Sequence, residues 1–582
     1  MQKLRKGEIN LNKLFRFFKG YKKEMISAPI FKFVETITDI VIPLLVANMV
    51  DIGVKNHDLN YIFGWGAVVV LLNFIGIASA IICSKLAARA CTGVSYDIRH
   101  GLYKHINTLS HAELDKFGTA TLNNRMTHDV NRFETALGTF LRTVMRAPFL
   151  IVGSTIMAMI IDIKLSLLFL IVAPIIFFVV FLILKKTEPL YDKTQKDLDR
   201  VSEITRENLQ GARVVRAFNK QDYEEARFAK SAKKLRKSAV KVVSVSSLLN
   251  PFTGTIINFA IIAVLWFGGL QVNTGNLTQG QIIAFVNYLT QISIALVSLA
   301  NLIIAFIKAI NCSHRINEVF DTKPSVIETN KEYIDVVKNK DVPKIEFKNV
   351  CLAYSNNAKY AVKNLSFKAY AGDTIGIIGG TGSGKSSVVS LIPRFYDATN
   401  GKVLIDGIDV KDYSFEQLRG EIGLVPQKAV LFKGTLKENL QWRKPSATLV
   451  ELQKAVKISQ SAEFVDELPD KFDYKVQAGG KNFSGGQRQR LTIARALVGD
   501  PQILIMDDSA SALDFATDAN LRRAIKEEIK ATVIIVSQRA NTVRNANLII
   551  VMDNGNIVGQ GTHKELMENC EVYREIYQSQ TK

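Results

Sequence analysis

Cysteine is scarce in this sequence, with five residues in 582: Cys83, Cys91, Cys312, Cys351 and Cys570. The number is odd and no pair has CxxC spacing, which excludes a disulfide scaffold and a zinc ribbon. Isolated thiols in a reducing cytosol or in lipid are expected. The seven histidines show no ligand spacing. The 13 prolines and 36 glycines follow no period, which excludes a collagen-like or low-complexity chain. Residues 1–24 are basic, but no small-residue cleavage site precedes the first long apolar stretch, so no cleavable signal peptide is expected. Acidic residues are the minority charge, 54 against 74 basic ones, for a net charge of +20. That excess fits nucleic acid, an anionic membrane surface, or the positive-inside bias of a membrane protein.

Apolar residues are abundant, at 48% of the chain, and the mean hydropathy is +0.11. The length suggests about three or four domain-sized units. The apolar residues concentrate in six stretches: 25–50, 61–83, 139–161, 163–184, 246–272 and 280–307. Each can cross a hydrocarbon core of about 30 Å as a helix. The connections alternate between short ones with little basic charge and two long polar ones, 85–138 and 185–245. The second holds 16 Lys+Arg against 9 Asp+Glu. The positive-inside rule therefore places the N-terminus, both long loops and the C-terminal half in the cytoplasm. No basic patch interleaved with stacking aromatics occurs, so nucleic acid is not an expected partner. Each long loop breaks near its middle, at Phe117-Gly118-Thr119 and at Gly211. Helices reversing there would expose short segments at their tips.

The polar stretch 321–344 reads as a linker. It divides the chain into a transmembrane domain (1–320), a linker (321–340) and a second domain (341–582). In the second domain short β-rich runs (KIEFKNV, TIGIIGG, KVLIDG, QILIMDD, TVIIVSQ) alternate with helical patterns. This is the pattern of an α/β domain with a largely parallel sheet. Gly379-Gly380-Thr381-Gly382-Ser383-Gly384-Lys385-Ser386 fits GxxxxGK[ST] between the apolar run TIGII and the helical run SSVVSLI, and these residues together with Ser387 are the nucleotide-binding candidates. Its glycines let backbone N–H groups approach phosphates, Lys385 is placed to reach the β- and γ-phosphates, and Ser386 to ligate Mg²⁺. Ile503–Asp507 is an apolar strand ending in an acid that would hold the metal, and Asp508 follows where the attacking water is oriented or deprotonated. Asn482-Phe483-Ser484-Gly485-Gly486-Gln487 opens a second helix end suited to phosphate. It lies far along the sequence from the first and is free to serve a nucleotide held by another chain.

FSGGQ between these two anchors resembles the signature of ATP-binding cassette (ABC) transporters, and the domain order resembles a bacterial ABC exporter half-transporter over nearly the whole chain. The fold class this implies is a membrane all-α domain of six helices with long cytoplasmic extensions plus an α/β P-loop cassette. The resemblance also implies roles. Tyr354 stacks on adenine, Gln427 senses Mg²⁺ and the γ-phosphate, and Ser511-Ala512-Leu513-Asp514 is the D-loop. Segments 117–130 and 207–219 are the cytoplasmic coupling regions. ATP and Mg²⁺ are the implied cofactors, a second half-transporter chain and the lipid bilayer the implied partners, and a bacterial-type cell membrane the implied location.

Two positions depart from the family pattern. Asp508 stands where the family has glutamate, and Gln538 where it has the switch histidine. The aspartate carboxylate sits one methylene further back, and a misplacement of ~1 Å can cost ~10²-fold in rate. Glutamine has no titratable proton. With Tyr354, Lys385, Ser386, Gln427, Asp507 and the signature 484–487 intact, the expectation is a site that binds ATP-Mg²⁺ but hydrolyses it slowly, while the signature completes a partner's site. This combination resembles the degenerate-site subunit of heterodimeric bacterial multidrug exporters. A homodimeric exporter, a lipid or lipid-linked flippase, and a regulatory subunit that clamps ATP are the alternatives. Lys32, Glu35 and Asp39 share one face of the first span, as do Arg142 and Arg146 at the start of the third. Glu35 and Asp39 are candidates for a substrate cavity, because ionisable residues at membrane depth are functional by default. An acidic cavity would favour small cationic amphiphiles.

Overall fold

The computed structural model describes residues 10–328, 332–335, 341–355, 359–509 and 512–581. Parts of the expected linker (329–331 and 336–340) and Ser511 of the D-loop lie outside them. The chain divides into two compact units. One comprises Met1–Asn107 with Thr119–Asp321, and the other Thr108–Gly118 with Thr322–Lys582.

Among the described residues of the first unit, six helices are long and apolar enough to cross a membrane: Lys13–Val54, Leu59–Ile106, Thr119–Ile161, Ile163–Gln210, Gln221–Asn273 and Gln279–Leu299. A helix satisfies every backbone polar group within itself, which lipid demands. Asp58 caps the second helix by accepting from the Tyr61 N–H, and Asp162 caps the fourth by accepting from Leu165. The second and fourth helices each run 48 residues without a break. At about 1.5 Å per residue that is about 72 Å, more than twice the hydrocarbon thickness. The extensions are therefore longer than the loop lengths alone suggest. Phe63, Phe74, Phe178, Phe259 and Trp266 are each more than 60% exposed, which water would penalise and lipid would not. All five cysteines are free and buried.

The two long connections end in short helices, not simple reversals. His111–Phe117 stops at Gly118, whose φ of 71° suits glycine, and Ala212–Ala217 starts after Gly211. Thr108–Gly118 belongs to the second unit, although the sequence places it within a continuous 1–320 domain. Ser110 Oγ accepts from the Val326 N–H at 3.0 Å, the His111 ring stacks on Phe395 at 4.2 Å, and Tyr396 donates to Asp115 at 2.8 Å. Within the first unit, Arg315 forks onto Asp129 (2.7 and 2.5 Å), tying the third helix to the helix Gln279–Asp321, which carries the sixth span.

The second unit is built on a six-stranded sheet. In spatial order its strands are Asn556–Gly561, Leu548–Asp553, Thr374–Gly379, Thr532–Ser537, Ile503–Asp507 and Ile422–Val425. The first pair is antiparallel and the rest are parallel. The near-continuous apolar runs arise because parallel strands are covered on both faces. The runs KIEFKNV and KVLIDG are not in this sheet. With Val362–Ala369 and Ile408–Asp409 they form a separate antiparallel sheet. Val362–Ala369 alternates buried and exposed positions, so it gives no apolar run to read.

Lys344 anchors the start of the antiparallel sheet. Its ammonium is buried and meets Asp406 (2.6 Å), Glu421 (3.0 Å) and Gln502 (2.8 Å). Lys344→Met leaves two carboxylates facing each other without a cation, a loss of about 3 kcal/mol for a broken buried pair. The expected outcome is a lower unfolding midpoint for the cassette, measured by thermal melting of the full-length chain in detergent.

Candidate nucleotide-binding site

Three parallel interior strands deliver the site residues to their C-terminal ends. Thr374–Gly379 leads into the glycine loop, Ile503–Asp507 ends in the acids, and Thr532–Ser537 ends just before Gln538. Their register pairs Val536 with Asp507 and Ser537 with Ile378. Gly382 (φ 81°) and Gly384 (φ 100°) adopt backbone conformations that other residues resist, and a Cβ on Gly384 would stand 2.5 Å from the Ala361 carbonyl. At Gly380 and Gly382 a Cβ would meet only open space, so the loop presents bare backbone on that side. Thr381 is exposed on the loop and Ser383 is buried beneath it. Gly384 precedes the helix Lys385–Leu391.

Lys385 folds back along the loop. Its buried ammonium donates to the carbonyls of Gly379 (2.9 Å) and Gly380 (2.6 Å). Burial pushes its pKa down, opposed by the charges of Asp508 and Asp507. Burial also pushes Asp507 above the usual carboxylate range, against the hydrogen bond from Ser386 at 3.1 Å. Asp508 sits at φ 47°, held by its N–H on the Val536 carbonyl (3.0 Å). One oxygen of its carboxylate, Oδ2, accepts from two carboxamides, Gln427 Nε2 and Gln538 Nε2, each at 3.4 Å. Six of the residues singled out in the sequence thus meet in one place. The hydroxyl of Ser386 and the carboxylate of Asp507 are hard oxygen donors, the set that suits Mg²⁺ held between a protein and phosphates.

Tyr354 is half exposed and its hydroxyl bonds Ser387 Oγ at 2.7 Å. Its ring meets the edge of Tyr396 at a centroid distance of 5.0 Å. Tyr396, absent from the sequence reading, also carries the hydrogen bond to Asp115, and its pKa is raised by burial and by that carboxylate. No local signal marks it, since its partner lies 281 residues away.

The signature residues start a separate helix, Gly485–Leu497. Ser484 Oγ accepts from the Gln487 N–H (3.2 Å) and Gln487 accepts from the Ser484 N–H (2.9 Å). Gly485 faces open space, and Gly486 lies near the Ala512 carbonyl. Asp514 caps Phe515–Glu528, and the N–H and hydroxyl of Thr517 hold its pKa below the usual range. In the membrane unit both oxygens of Glu35 accept from Lys32 (2.7 and 2.6 Å), and Asp39 pairs with Arg146 at 3.2 Å. Gln291, also unread in the sequence, donates to the Asp39 carbonyl at 2.8 Å.

Residues 25–296 match the ABC transporter transmembrane region, and residues 362–511 match the ABC transporter domain. The uncharacterized ABC transporter ATP-binding protein YfiB of Bacillus subtilis is 34% identical over 98% of each chain. The chain belongs to the ABC transporter family. The ATP-dependent lipid A-core flippase of Syntrophus aciditrophicus is 30% identical over 84% of this chain and 80% of its own. The solved structure of a bacterial Atm1-family ABC exporter with ATP bound superposes with a TM-score of 0.80 at 24% identity, covering 96% of this transporter and 98% of that chain. The fold is therefore that of an ABC exporter. The transporter is a multi-pass membrane protein whose cassette binds ATP, and it is a transport ATPase.

Gly384→Ala forces a Cβ against the Ala361 carbonyl and strains the phosphate loop, a cost of about 1–3 kcal/mol. The expected result is ATP affinity lower by about tenfold or more with the fold retained, measured by equilibrium binding of a fluorescent ATP analogue.

Proposed function

We propose that this transporter exports amphipathic compounds as one half of a heterodimer. Its own site retains ATP and hydrolyses it slowly, and Ser484–Gln487 completes the site of a partner carrying the usual glutamate. The observation that carries this reading is the trio at Asp508. The carboxylate sits between two glutamines, whose carboxamides occupy one of its oxygens where an attacking water would have to donate its proton. Neither carboxamide accepts that proton. No histidine stands at 538 to share it.

The binding parts support retention. ATP with Mg²⁺ supplies the phosphoanhydride whose cleavage drives transport. The bare backbone at Gly380 and Gly382 and the Lys385 ammonium hold the phosphates, Ser386, Asp507 and Gln427 ligate or sense the metal, and Tyr354 stacks on the base. Asp514 stiffens the D-loop by capping the next helix. The basic loops place the N-terminus and cassette in the cytoplasm of a bacterial-type cell. Drug efflux and lipid flipping both fit an amphipathic substrate, and the likeness to a lipid A-core flippase supports the second.

The test compares ATPase activity of the full-length chain alone and with its partner in one membrane. The lone chain is expected to be much slower, and equal rates would sink the heterodimer. Asp508→Glu combined with Gln538→His is expected to raise hydrolysis at this site by about tenfold or more, the inverse of the cost of a misplaced base. An unchanged rate would show that these two positions do not limit it.

A further inference from the structure

The cations of the membrane unit, not its acids, line a cavity. It has a volume of about 270 Å³ and its wall includes Lys32, Arg142, Arg146, Leu150, Ala295 and Ser298. Three cations and two carboxylates meet there, and their pairing is uneven. Lys32 holds both oxygens of Glu35, and Arg146 holds Asp39 at 3.2 Å and reaches Glu35 at 3.8 Å. Arg142 donates from Nε to the Gly138 carbonyl at 3.0 Å, and no carboxylate pairs with it among the described residues. The group therefore carries one positive charge beyond its acids. Arg142 lies three residues into the apolar run 139–161 and Lys32 seven into 25–50, depths of about 5 Å and about 10 Å at 1.5 Å per residue. A cation at such depth is costly unless an anion meets it.

We infer that this cavity takes the anionic headgroup, a phosphate or carboxylate, of an amphiphile. This deepens the export reading and rests on it for the step of transport. The volume falls below the about 300–1,000 Å³ of pockets that enclose a whole drug-sized ligand. It fits a headgroup whose apolar tail stays outside. The wall is matched to such a ligand, with Arg142 and Thr143 offering donors while Ala147, Leu150, Ile294 and Ala295 offer apolar surface. Arg142 supplies charge-assisted hydrogen bonds in a fork that fits an oxyanion. Glu35 and Asp39 act behind the wall as positioning residues that hold Lys32 and Arg146 in place. A cationic amphiphile would meet the uncompensated guanidinium and be repelled.

The test is equilibrium binding of radiolabelled dodecyl phosphate to the full-length chain in phosphatidylcholine nanodiscs, without ATP. Binding is expected, with Arg142→Gln weakening it about tenfold or more and Arg142→Lys, which keeps the charge but loses the fork, weakening it less than Arg142→Gln. Ser298→Glu, which sets a carboxylate beside Arg142, is expected to abolish it. Undiminished ATP-analogue binding by each variant shows that it has folded. Displacement by dodecyltrimethylammonium, or unchanged affinity in both Arg142→Gln and Ser298→Glu, would overturn the assignment. Competition by inorganic phosphate as strong as by unlabelled dodecyl phosphate would identify a free-anion site and overturn the amphiphile. If binding follows these expectations but vesicles holding the chain and its partner move no dodecyl phosphate with ATP, the export reading fails and the cavity assignment stands.

Discussion

The register of three parallel strands governs the nucleotide site. Asp507 lies opposite Val536, and Ser537 lies opposite Ile378, which immediately precedes Gly379. A slip of one residue would reverse which face every side chain points to. It would carry Asp508 away from Gln538 and Lys385 away from Asp507. The two buried faces of these strands set the register, because Ile377, Ile505 and Ile534 pack in one core and Ile378, Leu504 and Ile535 in the other, and a slip would exchange side chains between two closely fitted interiors. The chemistry at the strand ends is therefore held by packing well away from it.

Much of the fold was legible because its signals are local. A glycine loop between strand and helix, or an apolar run of membrane length, can be read in a window of twenty residues. The pairs that close the structure are not local. Arg146 meets Asp39 across 107 residues and Tyr396 meets Asp115 across 281. Spacing along one helix showed that Lys32, Glu35 and Asp39 share a face but not what that face opposes. Strands with alternating burial, such as Val362–Ala369, were missed for a related reason, since half their residues look like a polar loop.

The altered residues 508 and 538 were visible as identities, but their relation was not. The sequence suggested two separate weaknesses, a short acid and an untitratable switch. In the fold they are one arrangement, since Gln538 and Gln427 both donate to the oxygen a general base would need. Gln538 contacts the Asp508 carboxylate directly, so substitutions at 508 and 538 are expected to be non-additive. Charge at membrane depth follows the same lesson. Glu35 and Asp39 stand out in an apolar run, yet their hydrogen bonds are spent on Lys32 and Arg146, and the residue left over is a cation.

The assignment of Thr108–Gly118 to the second unit changes how the two units are tied. A simple tandem protein passes from one unit to the other once. Here the chain crosses three times, after Asn107, after Gly118 and after Asp321. Cutting it after residue 321 would leave two strands of polypeptide still joining the parts. A cassette produced from residue 341 onward would lack Ser110, His111 and Asp115, and would expose the ring face of Phe395 and the hydroxyl of Tyr396. The fragment would thus begin life with an unpaired aromatic seam one ring away from Tyr354.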